Sequence, residues 1–451
     1  MKRVGPATAG LARVAYSTLL RLLTPLYLLR LLWRARREPL YGHKLGERLG
    51  LYGAATPRQL PQPAAGLLWL HAVSLGETRA AAPLIASLRQ AQPGLRLLLT
   101  NGTATGRAAG AEVLRPGDLQ AWLPYDTPGA TRRFFAQFRP AVGVLMETEA
   151  WPNLIAAAAV ANVPVVLANA RLSARSARRG EQLAALIYPT ARRLAACLAQ
   201  TEADAARLRA AGADPVEVLG NLKYDVQPDP ALLARGAAWR AALARPVARP
   251  VVLAANTREG EEADLLRAWR ATPAPRALLL IVPRHPQRFD AVAALVEAAG
   301  LSLARRSAWG DRLPGAEGSA SVGPAPVGTA DVWLGDSLGE MPLYYAMADV
   351  ALLGGSFAPL GGHNLIEAAA CGCPVVMGPS TFNFAQAAEL ALQAGVAWRE
   401  ADVEAAVLRT LTLLALDPAE AVALRDRARA YAASRRGAAD RMAARILSLR
   451  R

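Results

Sequence analysis

Short apolar runs alternate with helical patterns along most of the chain. Runs at 67–70, 95–99, 142–146, 163–168, 194–199 and 216–219 read as strands. Polar loops follow them: 71–76, 100–106, Glu147-Thr148-Glu149, Asn169 with Arg171, Gln200-Thr201-Glu202, and Gly220-Asn221 with Lys223. Alanine-rich helical patterns lie between the runs, the first opening at Glu77. The stretch 228–250 holds prolines and a basic amphipathic helix and reads as a join. The alternation then restarts, with strands at 251–255, 277–282, 301–304, 332–334, 350–353 and 374–377, and 403–451 reads as helices. Continuously apolar strands separated by helices predict parallel sheets covered on both faces. The expected class is α/β: two tandem Rossmann-like domains facing a cleft, with an N-terminal membrane helix. The expected divisions are an anchor with its basic flank (1–40), a first Rossmann-like domain (41–227), a second (228–430) and a C-terminal basic helix (431–451). The glycine- and proline-rich segment 308–329 reads as a mobile surface loop.

The segment 11–33 is leucine-rich and flanked by basic residues, but Arg13, Arg21, Arg30 and Pro25 interrupt it. A spanning helix rarely tolerates an arginine near its centre. A helix lying in the membrane interface with its arginines snorkelling fits at least as well. A buried helix of the first domain is the third reading.

In sheets of this kind ligands bind at the carboxyl ends of the strands. The stretch 354–379 is a glycine turn between two apolar runs, with a short helix opening at about Asn364. Such a turn lets backbone N–H groups approach an anion. Asn364 and Glu367 also have the spacing of a helix cap, which is the plainer reading of that pair. Three of the four histidines, His71, His285 and His363, fall at predicted strand ends or glycine turns, where scattered core histidines would not be expected, and His285 and His363 read as donors to phosphate or sugar oxygen. None has helical spacing for a metal. Glu77 is either an acidic residue complementing a helix N-terminus or a general base that the helix dipole keeps ionised. Glu147 and Glu149 end an otherwise apolar strand. Arg171, Arg175, Arg178 and Arg179 form a solvated face or a phosphate anchor. Arg284 and Lys223 are candidates for neutralising charge on a leaving phosphate.

Hydrophobic residues make up 53% of the 451, enough for two full cores, and the formal net charge is +16. That charge suits an anionic membrane or phosphorylated substrates, or reflects an arginine-rich coding bias. No motif points to nucleic acid. Three cysteines without metal-ligand spacing predict a reducing, cytosolic setting with neither disulfides nor structural metal.

Several strings carry a more specific signal: HAVSLGET at 71–78, LPYDTPGA at 123–130, METEAWPNLI at 146–155, NARLSARS at 169–176 and GNLKYD at 220–225. They continue with VPRHPQRF at 282–289, GDSLGE at 335–340, GGHNLIEAAACGCPVVMGP at 361–379 and TFNF at 381–384. Together they resemble the 3-deoxy-D-manno-octulosonic acid (Kdo) transferases of lipopolysaccharide synthesis, across nearly the whole chain, which implies a GT-B-type glycosyltransferase with an acceptor-binding domain at 41–227 and a CMP-sugar-binding domain at 228–430. The resemblance implies inverting, metal-independent transfer of Kdo from CMP-Kdo to an acylated, phosphorylated lipid A precursor (lipid IVA). It places the enzyme at the cytoplasmic face of the inner membrane, anchored by its N-terminal helix, with membrane lipids as partners, no cofactor and no nucleic acid. By motif match it makes Glu77 the catalytic base and gives Glu147 and Lys223 roles in the transition state. It assigns CMP contacts to Pro283, Arg284, Leu338, Gly339, Glu340, Asn364, Leu365, Ile366 and Glu367. A transferase using a UDP-sugar would share the fold, and comparing CMP with UMP binding separates the two. A basic membrane-bound scaffold would explain the charge, but not acidic and basic residues at so many strand ends.

Overall fold

Each apolar run between helical patterns becomes a parallel strand. The computed structural model describes residues 5–53, 66–243, 249–272, 277–310 and 329–450, so most of the 308–329 segment lies outside the described residues. The chain forms two units: residues 1–226 together with 435–451, and residues 227–434.

The first unit holds β1 (Leu67–His71), β2 (Arg96–Asn101), β3 (Leu119–Trp122), β4 (Val142–Met146), β5 (Val165–Ala170), β6 (Ala196–Ala199) and β7 (Val216–Val218). They pair in the order β3-β2-β1-β4-β5-β6-β7, every pair parallel. Alternate residues of β1 serve opposite faces. Leu67 and Trp69 join one core with Phe134 and Phe135, while Leu68 and Leu70 join another with Leu84, Leu88, Met442 and Ile446. Both faces are therefore covered, which is why the strand reads as unbroken apolar sequence. Met442 and Ile446 belong to the C-terminal helix Ala438–Ser448. Asp225 holds the start of that helix by accepting from the N–H groups of Gly437 and Ala439, and Arg445 pairs with Glu217 at 2.6 Å.

The second unit repeats the plan with β8 (Val251–Thr257), β9 (Leu278–Pro283), β10 (Leu303–Arg305), β11 (Val332–Leu334), β12 (Val350–Leu353), β13 (Val375–Met377) and β14 (Ala397–Arg399). The order is β10-β11-β9-β8-β12-β13-β14, again all parallel. The helix Pro230–Ala242 within the expected join belongs to this unit. A Cβ on its Gly236 would lie 2.4 Å from the Leu343 carbonyl oxygen, so the helix packs backbone to backbone there. The sequence predicts neither β3 nor β14. Both are short edge strands with a neighbour on one side only, and their half-exposed residues lack a continuous apolar run.

The N-terminal segment is one helix, Pro6–Ala35. Its inner face docks on the first unit: the Tyr16 hydroxyl donates to Asp126 Oδ2 at 3.0 Å, and Ser17 meets Asn153. Tyr27 also lies against Tyr125, with ring centroids 5.8 Å apart. Its other face leaves Leu11, Leu22, Leu26, Leu29 and Trp33 exposed. No helix among the described residues is long and apolar enough to cross a membrane.

Candidate active site

In the first unit β1 and β4 are neighbours, and the strand order turns between them. Loops leaving such a pair of strands diverge and open a crevice at their carboxyl ends. Glu77 follows β1, and Glu147 and Glu149 follow β4.

Ser74 caps the helix Leu75–Ala91, and Glu77 sits in its first turn. The Val73 N–H donates to Glu77 Oε2 at 2.8 Å and the Ser74 hydroxyl to Oε1 at 3.2 Å. This is the reciprocal contact of a helix start, displaced by one residue. The helix dipole alone would keep the carboxylate strongly acidic. The structure reverses that expectation. Burial, with the charges of Glu147 and Glu149 adding to it, outweighs the Val73 and Ser74 hydrogen bonds and pushes Glu77 up to about 7. Glu77 therefore shares its proton with water near neutrality, the condition for general-base catalysis.

Glu147 is held with φ at 56°, a left-handed conformation uncommon for a residue other than glycine or asparagine. Its carboxylate meets Lys223 Nζ at 3.4 Å. Lys223 lies in the short turn Leu222–Tyr224, whose start Asn221 caps. Asn169, also left-handed at φ 51°, accepts from the Leu222 N–H and fixes that turn beneath Glu147. The structure thus gathers Glu77, Glu147, Glu149 and Lys223. Burial, opposed by the Trp151 indole N–H bond at 2.7 Å, raises Glu149. Arg175, Arg178 and Arg179 lie exposed on the helix Ala174–Gln182.

His71, set at a strand end like the site residues, is a core residue. It is 1% exposed, its Nδ1–H donates to the Thr100 carbonyl, and burial pushes it down to about 3, so it is a neutral core histidine.

In the second unit the sheet order turns between β8 and β12. Gly354 follows β12, and a Cβ there would lie 2.4 Å from the Asn256 carbonyl oxygen. Gly355 has φ 67°, and its Cβ would lie 3.0 Å from His363 Nε2. These two glycines let the loops after β8 and β12 touch. Glu261 joins them: its carboxylate accepts from the N–H groups of Arg258, Gly355 and Phe357. Beside the turn stand Arg258, Arg284, His285 and His363. Arg258 donates to His285 Nε2 at 2.7 Å. Burial, with Arg284 and Arg258 nearby, lowers His363 to about 4. His363 Nε2 is buried without a hydrogen-bond partner. A concentration of positive charge around a neutral donor suits an anionic ligand.

Pro283 ends β9 and is buried; Arg284 is exposed and donates its N–H to the Thr257 carbonyl. Asn364 caps the six-residue helix Leu365–Ala370 by accepting from the Ile366 N–H, the N-cap half of the plainer reading. Leu365 and Ile366 are buried, and Glu367 sits in the first turn. Leu338 is exposed and Gly339 is left-handed at φ 82°. The neighbouring Glu340 accepts from Arg235, Arg306 and Tyr344, so its carboxylate is committed inside the unit. These three follow β11, two places from β8 in the sheet. Glu261 and the pairing of Arg258 with His285 went unassigned at the sequence level. Among the described residues no group of side chains could hold a metal ion. All three cysteines are buried, and burial pushes the Cys197 and Cys373 thiols up to about 12.

Residues 43–226 match the family described as 3-Deoxy-D-manno-octulosonic-acid transferase (kdotransferase). The chain is 48% identical to the 3-deoxy-D-manno-octulosonic acid transferase of Bordetella pertussis, over 96% of this chain and 98% of that one. It is 36% identical to the enzyme of the same name from Haemophilus influenzae, over 82% and 83%. A solved glycosyltransferase structure from Rickettsia africae superposes with a TM-score of 0.57 over 85% of this chain and 98% of that one, at 11% identity. That likeness shows the two-domain parallel-sheet fold.

Proposed function

The chain belongs to the 3-deoxy-D-manno-octulosonic-acid transferase family, and from that premise we propose that it transfers Kdo from CMP-Kdo to a hydroxyl of lipid IVA, with inversion and without a metal. The observation that carries the reading is Glu77: a carboxylate near neutrality, beside Glu147 and Lys223, at the end of a central strand.

In this account Glu77 takes the proton of the acceptor hydroxyl as its oxygen bonds to the anomeric carbon of Kdo. The bond from that carbon to the phosphate breaks, and CMP leaves with the electron pair. One displacement inverts the anomeric centre. The Val73 N–H and the Ser74 hydroxyl each occupy one side of the carboxylate, which fixes its orientation and leaves lone pairs for the incoming proton. Lys223 holds Glu147 and tempers its repulsion of Glu77. In the second unit Arg258, Arg284 and the His363 imidazole offer donors for the CMP phosphate. The backbone at 338–340 and 364–367 would complete the CMP contacts.

The N-terminal helix supports a place on the membrane surface. At about 100° per residue, Leu11, Leu22, Leu29 and Trp33 fall within roughly 40° of one another. Arg21 and Arg30 stand about 90° to either side by the same geometry. That is an apolar stripe bordered by cations, suited to lying in an anionic interface. We place the enzyme at the cytoplasmic face of the inner membrane on that basis. The test is release of CMP from CMP-Kdo in the presence of lipid IVA. Acceptor-dependent release supports the reading; equal turnover of UDP-sugars, or none with CMP-Kdo, sinks it.

A further inference from the structure

A cavity of about 340 Å³ lies in the first unit under the N-terminal helix. Leu20, Thr24 and Tyr27 of that helix form one wall, and Leu123, Pro124 and Trp151 form another. They sit on the helix face opposite the exposed leucine stripe, so one helix separates the cavity from the outer apolar surface. Val73 and Glu149 also line the cavity. Val73 is the residue whose N–H binds Glu77, so the cavity reaches to within one residue of the candidate base.

The charged groups in the wall are engaged within the protein. Asp126 accepts from Tyr16 and from the N–H groups of Asn153 and Leu154. Arg48 donates to the Gly102 carbonyl and lies over the Trp122 ring at 4.1 Å. His71 bonds Thr100, and Glu149 accepts from Trp151. What remains for a ligand is mainly hydrocarbon and aromatic surface. A polar ligand would lose water without gaining partners there, whereas an alkyl chain gains by leaving water.

We propose that this cavity binds one alkyl chain of the acceptor, seated under the N-terminal helix so that the sugar hydroxyl is presented at Glu77. The proposal deepens the functional reading above and rests on its acylated acceptor. The cavity is then a specificity-determining site, reading chain length. Each methylene moved from water into it strengthens acceptor binding about fourfold until the cavity is full. KM carries this effect, because the chain is bound alike before and during the reaction.

The direct test uses the full-length protein and a medium-length alkyl glucoside carrying a terminal diazirine. After irradiation, adducts are mapped by peptide mass spectrometry. Adducts on Leu123, Pro124 or Trp151, reduced by competing lipid IVA, support the site. Adducts confined to the outward leucines of the helix overturn it. In parallel, Leu123→Trp and Leu20→Trp fill the cavity from opposite walls. Each is expected to raise KM for acylated acceptor tenfold or more, to flatten the chain-length dependence and to leave CMP binding unchanged. Wild-type chain-length dependence in both folded variants contradicts the proposal. Cavity adducts without any Kdo transfer would refute the reading of the acceptor while supporting the alkyl site. Kdo transfer without cavity adducts overturns the alkyl site and leaves the transferase reading standing.

Discussion

Replacing Glu77 by Gln should remove activity and add stability, and the two effects should share one pH dependence. Burial and the charges of Glu147 and Glu149 raise this carboxyl from an ordinary 4.5 to about 7 in the folded protein. The folded state therefore holds the proton more tightly than the unfolded chain does. Stability from that preference is complete below the ordinary glutamate value and is lost as pH rises to about 7. At about 1.36 kcal/mol per tenfold change in acidity, ionising Glu77 in the folded protein costs about 3 kcal/mol. Part of the side chain remains in water, and screening reduces the net penalty to on the order of 1–2 kcal/mol. Gln carries no charge and escapes it. Chemical denaturation should therefore find Glu77→Gln more stable than wild type by about that amount near pH 8, and nearly equal to it near pH 4.5. The kinetic counterpart is an acid limb in kcat/KM centred at about 7. At about pH 6 wild-type activity should fall to roughly a tenth of its plateau, and the variant should lose about 10²–10⁴-fold in kcat. An acid limb near 4.5, or a variant no more stable than wild type at alkaline pH, would refute the argument that burial poises this group.

Three further outcomes follow from the same contacts. Lys223→Met leaves Glu147 without its ion pair, so the acid limb assigned to Glu77 should move to higher pH; an unmoved profile would detach Lys223 from the base. Arg258→Ala removes a charged donor beside His285 and His363 and should weaken CMP binding about 10–100-fold, at about 1.5–3 kcal/mol for a charge-assisted bond; calorimetry with CMP reads it directly. Glu261→Ala deprives three backbone N–H groups of their acceptor. At about 1–3 kcal/mol for each group left unsatisfied, it should cost on the order of 3 kcal/mol, seen as a lower Tm, and should disorder the Gly354–Gly355 turn enough to weaken CMP binding as well.

The fold was legible because buried parallel strands leave an unmistakable trace: Leu68 and Trp69 are both apolar since both faces of β1 are covered. Short edge strands leave a weaker trace: β7 and β10 were still legible at 216–219 and 301–304, while β3 and β14 escaped. The position of Glu77 at a helix start was also legible, since the loop 71–76 gives way there to an alanine-rich helical pattern. Its proton affinity was not. That depends on burial and on Glu147 and Glu149, brought over from a strand some seventy residues later in the chain by sheet order. His71 misled for a related reason. It ends a strand like the site residues, but the side chain turns inward to Thr100, and strand alternation alone does not tell the two faces of a doubly covered sheet apart. Glu261 lay hidden in a run of charges, where only the contact between the β8 and β12 loops reveals which carboxylate faces inward.

The central claim is that Glu77 drives Kdo transfer onto a lipid acceptor. Mass spectrometry of lipid IVA after incubation with CMP-Kdo and either wild-type enzyme or Glu77→Gln tests it most directly. The account predicts an acceptor heavier by one or more Kdo residues with wild type, and unmodified acceptor on the same timescale with a variant that is folded and still binds CMP. Equal product from both would contradict the assignment of the base; no product from wild type, with CMP-Kdo intact, would contradict the assignment of the reaction.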